Sequence, residues 1–278
     1  MLRRVASTHA LSFDLAAYFD RIQWGGETRP TYQTLAGVLD AHMRRIPFEN
    51  LDVLLGRPPR LDVEGLQAKL VRARRGGYCF EQASLLAAAL TELGFAPIAH
   101  TARVVLYTAR SASARTHMFL KVALPEGDFV VDPGFGGLAP RLPVPLVDGR
   151  TVTRESDAHA MVRDDGYWVM RARSDDGMVD AWVTTLDRDN AIDFEMGNHF
   201  TATWRESPFV NRITLRAFTP DGRRVTVMNR DVTIRRGASS ETMRLADRAA
   251  LRVLLARDFG FDLPEVETMR VPSIPEWD

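Results

Sequence analysis

The spacing of hydrophobic residues changes character near Pro97, and no single-class fold accommodates that change. Before it, apolar residues recur every three or four positions, the period of a helix face; after it they alternate, the period of a half-buried strand. Tyr32, Leu35, Val38, Leu39, His42, Met43 and Ile46 mark one helical face, opened by Pro30 and stopped by Pro47. Ser12 is placed to cap a helix over Phe13 to Ile22, and Asp62 one carrying Leu66, Leu70 and Val71. A fourth runs from near Cys79 through Leu85, Leu86, Leu90 and Leu93 to a terminating Gly94. Four helices with short connections predict an N-terminal helical bundle.

Beyond Pro97 the segments Thr101 to Tyr107, His117 to Val122, Asp128 to Val131, Tyr167 to Arg171 and Ala181 to Thr185 read as strands. Turn pairs such as Asp148-Gly149, Asp165-Gly166 and Asp176-Gly177 separate them, which predicts an antiparallel sheet or small barrel. After Asn190 come strands at Arg212 to Phe218 and Arg224 to Met228, then an amphipathic helix from Asp247. Gly134 to Pro145 is the predicted long loop, of the kind that lines sites. The class is α+β.

Charge narrows the partners. The 278 residues hold 36 Lys+Arg and 36 Asp+Glu, interspersed, with no basic run to displace phosphate counterions, so nucleic acid is not an expected partner. The longest apolar run, Leu85 to Leu90, falls far short of the ~18 residues of a membrane span. A single cysteine, Cys79, makes neither an intramolecular disulfide nor a Cys-rich zinc site, and no metal is expected. The chain reads as soluble and cytoplasmic.

That cysteine sits in Arg74-Arg75-Gly76-Gly77-Tyr78-Cys79-Phe80-Glu81-Gln82. The two glycines allow a sharp backbone turn, and the first turn of the following helix favours a thiolate. A lone cysteine on an apolar helix also reads as a small buried hydrophobe. A nucleophilic thiol needs a histidine; His9 lies in the N-terminal tail, His42 belongs to an amphipathic helix, and His100, His159 and His199 have no acidic or glycine-rich context. His117 heads a strand, and the next strand ends in Val130-Val131-Asp132-Pro133-Gly134, so antiparallel pairing can bring Asp132 beside it. A structural histidine and a turn-initiating aspartate account for the same residues. The order Cys, His, Asp, with the Cys heading a helix, is the papain-like arrangement.

Four segments together resemble the arylamine N-acetyltransferases: Ile46-Pro47-Phe48-Glu49-Asn50-Leu51-Asp52, Arg75-Gly76-Gly77-Tyr78-Cys79-Phe80-Glu81, Arg115-Thr116-His117-Met118 and Val131-Asp132-Pro133-Gly134-Phe135-Gly136-Gly137. Ala83 stands where that family commonly has Asn, and Pro133 where Val or Ala is usual. The resemblance implies a helical bundle over 1–95 supplying Cys79, a β-barrel over 96–200 supplying His117 and Asp132, and an α/β lid over 201–278. It implies ping-pong acetyl transfer from acetyl-CoA to an arylamine or arylhydrazine. By the same carry-over Phe48 and Phe135 line the acceptor pocket, Thr116, Gly136 and Phe209 contact CoA, and Glu49 and Arg75 form an ion pair near the site. On the residues alone a hydrolase or transglutaminase-type thiol enzyme, or a binding protein holding a metal, remains open.

Overall fold

A computed structural model describes residues 13–175, 177–237 and 239–277. Its first third is helical: α1 (Leu15–Ile22), α2 (Tyr32–Arg45), α3 (Leu51–Leu54), α4 (Val63–Leu66) and α5 (Cys79–Glu92). Asp14 caps α1 by accepting the Ala17 N–H, so that helix starts two residues later than expected. Ser12 and His9 lie outside the described residues, as does Asp176 of the expected Asp176-Gly177 turn. Asp62 caps α4 through the Gly65 N–H, and the helix then widens into a π-helical segment, Gln67–Arg72. The short α3 was not expected, because four residues carry no readable period.

Eight antiparallel strands follow: β1 (Ile98–Val104), β2 (Arg115–Leu124), β3 (Gly127–Val131), β4 (Val144–Pro145), β5 (Thr151–Arg154), β6 (Asp157–Asp164), β7 (Tyr167–Ser174) and β8 (Gly177–Thr184). Their order, β4-β3-β2-β1-β8-β7-β6-β5, leaves β4 and β5 at the two edges. Those strands lie against each other, which makes the sheet a nearly closed barrel. The expected loop from Gly134 to Pro145 contains a 3-10 turn, Gly136–Leu138, and the short β4. Alternation along β2 divides its side chains: Met118, Leu120 and Val122 pack with the helices, while Phe119 packs inside the barrel.

The chain continues through α6 (Ala191–Thr203) and α7 (Pro208–Asn211). A second sheet follows, of β9 (Thr214–Phe218), β10 (Arg224–Met228), β11 (Asp231–Arg236) and β12 (Ser239–Arg244), in the order β12-β11-β10-β9. Helix α8 (Arg248–Leu254), capped by Asp247, runs on into a π-helical turn, Leu255–Phe259. Helix α6, β11 and β12 were unexpected; β12 has all six residues exposed, so no burial pattern marks it. Phe48 takes the open edge of β9 through a bridge with Arg216, and on its other side bridges Gly77. The C-terminal sheet thus reaches the residues just before Cys79. Among the described residues no helix is long and apolar enough to cross a membrane.

Candidate active site

Cys79 is the first residue of α5 and is 3% exposed. Arg74, not a glycine, makes the left-handed turn before it, with φ 54°. Gly76 and Gly77 serve space instead. A Cβ on Gly76 would lie 2.2 Å from the Pro47 carbonyl oxygen, and one on Gly77 would lie 2.7 Å from Glu81 Oε2. At the helix start Glu81 accepts the Tyr78 N–H at 3.1 Å, while Gln82 donates to the carbonyls of Pro47 (2.8 Å) and Gly77 (3.1 Å). Gln82 and Glu81 therefore carry the polar contacts there, and Ala83 is simply buried.

Strand pairing delivers the other two groups. Leu120 pairs with Val131, which sets Asp132 diagonal to His117 on one face, within reach of long side chains. The β1–β2 ladder slips between Ala102 and Arg103, leaving Thr116 unpaired, a bulge that aims the residue beside it. His117 Nε2 donates to Asp132 Oδ2 at 2.8 Å, and Cys79 lies within hydrogen-bonding reach of the same ring. The Cys79 thiol also donates to the Thr116 carbonyl at 3.8 Å. Burial disfavours the imidazolium, but the Asp132 carboxylate outweighs it and, with the Cys79 contact, pushes the His117 pKa up to about 10.

Asp132 is wholly buried and has three donors. Besides His117 it accepts the Trp182 indole N–H on Oδ2 at 2.9 Å and the Gly134 N–H on Oδ1 at 3.0 Å. The Trp182 ring stacks on Phe119 with centroids 4.4 Å apart, which fixes the donor. Nothing in the local sequence points to Trp182; the only available signal is that an indole in a barrel strand needs a partner for its N–H. Gly134 presses on α5, where a Cβ would fall 2.5 Å from Cys79 Cα.

The remaining histidines have other partners. Buried His42 bonds Tyr18 Oη at 2.8 Å and Gln82 Oε1 at 2.6 Å, and burial drives its pKa down to about 3. His100 has an acid after all, Asp189 at 3.7 Å, brought from far along the chain. His159 bonds the Leu138 carbonyl, and His199 is exposed on α6.

Phe135 meets the His117 ring edge-on at 5.0 Å, whereas Phe48 is buried against Phe209, 6.2 Å away. Phe209 also meets Tyr78 edge-on at 5.6 Å, so both lie on the Cys79 side. Thr116 is half-buried next to His117, and Gly136, with φ 54°, lies on the loop after Asp132. Glu49 and Arg75 are paired at 2.7 Å, as part of a larger group. Arg75 also reaches Asp52 at 3.1 Å, and Lys69 bridges Asp52 at 2.8 Å and Glu81 at 2.7 Å. Burial pushes the Glu81 carboxyl up to about 7, against the pull of Lys69. Lys69, Asp52 and Glu81 were not singled out in the sequence because their pairing is tertiary. Among the described residues no three His, Cys, Asp or Glu side chains converge as a metal site.

Residues 31–268 match the family model described as N-acetyltransferase. The chain is 37% identical to an arylamine N-acetyltransferase of Mycobacterium tuberculosis, over 92% of each sequence. It is 32% identical to the Salmonella typhimurium arylamine N-acetyltransferase / N-hydroxyarylamine O-acetyltransferase, over 91% of this chain and 90% of the other. The solved structure of the Mycobacterium marinum arylamine N-acetyltransferase in complex with CoA superposes with a TM-score of 0.85 at 33% identity, covering 91% of this chain and 94% of that one.

Proposed function

The chain belongs to the arylamine N-acetyltransferases, a family of acetyl-CoA-dependent acyltransferases, and we propose that it acetylates arylamines or arylhydrazines by a ping-pong route through acetyl-Cys79. One observation carries this reading: the Cys79 thiol adjoins an imidazole whose Nε2 is bonded to a buried carboxylate, which leaves Nδ1 to meet the sulfur. Asp132 fixes the tautomer and stabilises the imidazolium, and the matching state of Cys79 is a thiolate.

The thiolate attacks the thioester carbonyl, the bond to the CoA sulfur breaks, and His117 returns its proton to the departing thiol. The amine nitrogen then attacks the acetyl-cysteine, His117 takes the amine proton, and Cys79 leaves as thiolate. An arylamine is weakly basic and arrives unprotonated at neutral pH, whereas an alkylamine like lysine, with a pKa of about 10.4, arrives mostly protonated and does not react. In this reading Phe135 and Phe48 line the acceptor side, and Thr116, Gly136 and Phe209 contact CoA. Glu49 and Arg75 brace the helix start, and the reaction runs in the cytoplasm without a metal. Family membership favours this reading over the hydrolase and metal-binding alternatives.

The test is to mix the protein with radiolabelled acetyl-CoA and map the label. The expected adduct is on Cys79 and is discharged by an arylamine; no adduct, or the same labelling in Cys79→Ala, refutes the proposal.

A further inference from the structure

Arg216 lies in β9, outside the sequence segments that carry the catalytic groups, and is 1% exposed. A buried guanidinium normally faces a carboxylate. Among the described residues this one makes no ion pair, and spends its donors on three backbone carbonyls. Its Nε donates to Gly136 O at 3.1 Å, one terminal nitrogen to Pro133 O at 3.1 Å and the other to Met43 O at 3.2 Å. Phe218 lies beneath it, 5.0 Å from the guanidinium carbon. Burial, with Arg224 and Arg141 nearby, lowers its pKa to about 9, which leaves it a cation at neutral pH.

Pro133 and Gly136 bracket the turn that leaves Asp132. Between them Gly134 donates to Asp132 and packs against Cys79, and Phe135 meets His117. The backbone of Arg216 is anchored as well: its N–H donates to Phe48 O at 2.9 Å, and its carbonyl accepts the Phe48 N–H at 2.8 Å. Phe48 in turn bridges Gly77, two residues before Cys79. One residue of the C-terminal sheet therefore touches the cysteine side of the site through its main chain and the histidine–aspartate side through its side chain.

We propose that Arg216 is a positioning residue, whose guanidinium fork holds the Pro133–Gly136 turn so that Asp132, Gly134 and Phe135 stay in register with Cys79 and His117. The inference rests on the catalytic reading of that site. A fork with fixed donor directions can span two carbonyls three residues apart; a lysine ammonium, a point charge on a flexible stem, cannot. An apolar side chain would avoid the desolvation cost but leave the turn's carbonyls without a donor.

The experiment compares wild type with Arg216→Lys and Arg216→Gln, normalised to folded protein by circular dichroism. Two rates are read: single-turnover acetylation of Cys79 by labelled acetyl-CoA, and iodoacetamide alkylation of Cys79 at pH 6.5. Displacement of reacting groups by about an ångström costs up to about a hundredfold, so a fall of about ten- to a hundredfold is expected in acetylation, with a parallel fall in alkylation. Lysine is expected not to rescue, although it keeps the charge. Glutamine relieves the desolvation cost, so it remains informative where the lysine variant fails to fold. Folded variants that react within twofold of wild type overturn the proposal, as does full recovery in Arg216→Lys. Alkylation needs no acyl donor, so a wild type that alkylates readily but takes no acetyl label refutes the acetyltransfer reading and leaves the role of Arg216 measurable.

Discussion

Replacing Asp132 by Asn probes the site at its most loaded contact. The carboxylate faces His117 at 2.8 Å in full burial, and with the Cys79 contact it offsets desolvation enough to carry the imidazole pKa from 6.5 to about 10. At 1.36 kcal/mol per pH unit that span is about 5 kcal/mol in favour of the imidazolium. Asparagine removes the charge, and its amide N–H₂ can donate to Nε2, which forces the opposite tautomer and leaves no base for the thiol. Burial alone then favours a neutral ring at pH 6.5. Without a base beside it the thiol loses a contribution worth about a hundredfold or more, so alkylation of Cys79 should fall about a hundredfold at pH 6.5. Stopped-flow alkylation from pH 5 to 10 gives the profile. The linkage sign gives a second readout. A raised histidine pKa stabilises the fold fully below 6.5 and loses that contribution as pH rises through about 10. Wild type should therefore lose denaturant resistance across that window relative to Asp132→Asn. Alkylation of the variant within threefold of wild type at pH 6.5 refutes the argument.

Two further outcomes follow from the buried polar groups behind the site. Glu81 has its pKa raised by burial from 4.5 to about 7, so its contribution is present below 4.5 and lost as pH rises through 7. Glu81→Gln should gain about 3 kcal/mol relative to wild type between pH 4.5 and 8, read from urea midpoints; parallel curves contradict this. His42→Leu strands Tyr18 Oη and Gln82 Oε1, at about 1–3 kcal/mol each, and adding Tyr18→Phe should recover part of that loss in thermal melts. Because the His42 pKa is depressed to about 3, its stabilisation is present above 6.5 and lost on acidification, and the leucine variant should lack that acid slope. No recovery on adding Tyr18→Phe would mean the pair is not coupled as the hydrogen bonds indicate.

Where period and punctuation were strong, the sequence led to the fold: α2 between Pro30 and Pro47, α5 ending before Gly94, the strand pair around His117 and Asp132. Short or exposed elements such as α3 and β12 escaped, since four residues are too few to show a period and β12 is exposed throughout. Gly76 and Gly77 show how a sound local rule misattributes cause. Their lack of a side chain matters, but for the approach of Pro47 and Glu81 rather than for backbone handedness.

The candidate triad was legible because each member sits in a short motif whose residues are neighbours in the chain. What surrounds the triad was not. Trp182 on Asp132 and Arg216 under the Pro133–Gly136 turn come from distant elements, and Lys69 and Asp52 join Glu49 and Arg75 only where two separate segments meet. A side chain's period or flanking glycine records which face it lies on, whereas a hydrogen bond across tens or hundreds of residues depends on where two elements finish in space. The residues in hand determined the class of fold and singled out Cys79, His117 and Asp132 as candidates one by one. Only the packing of barrel, helices and C-terminal sheet decided that these groups meet, because burial of three separate cores, not any local preference, sets the distance between them.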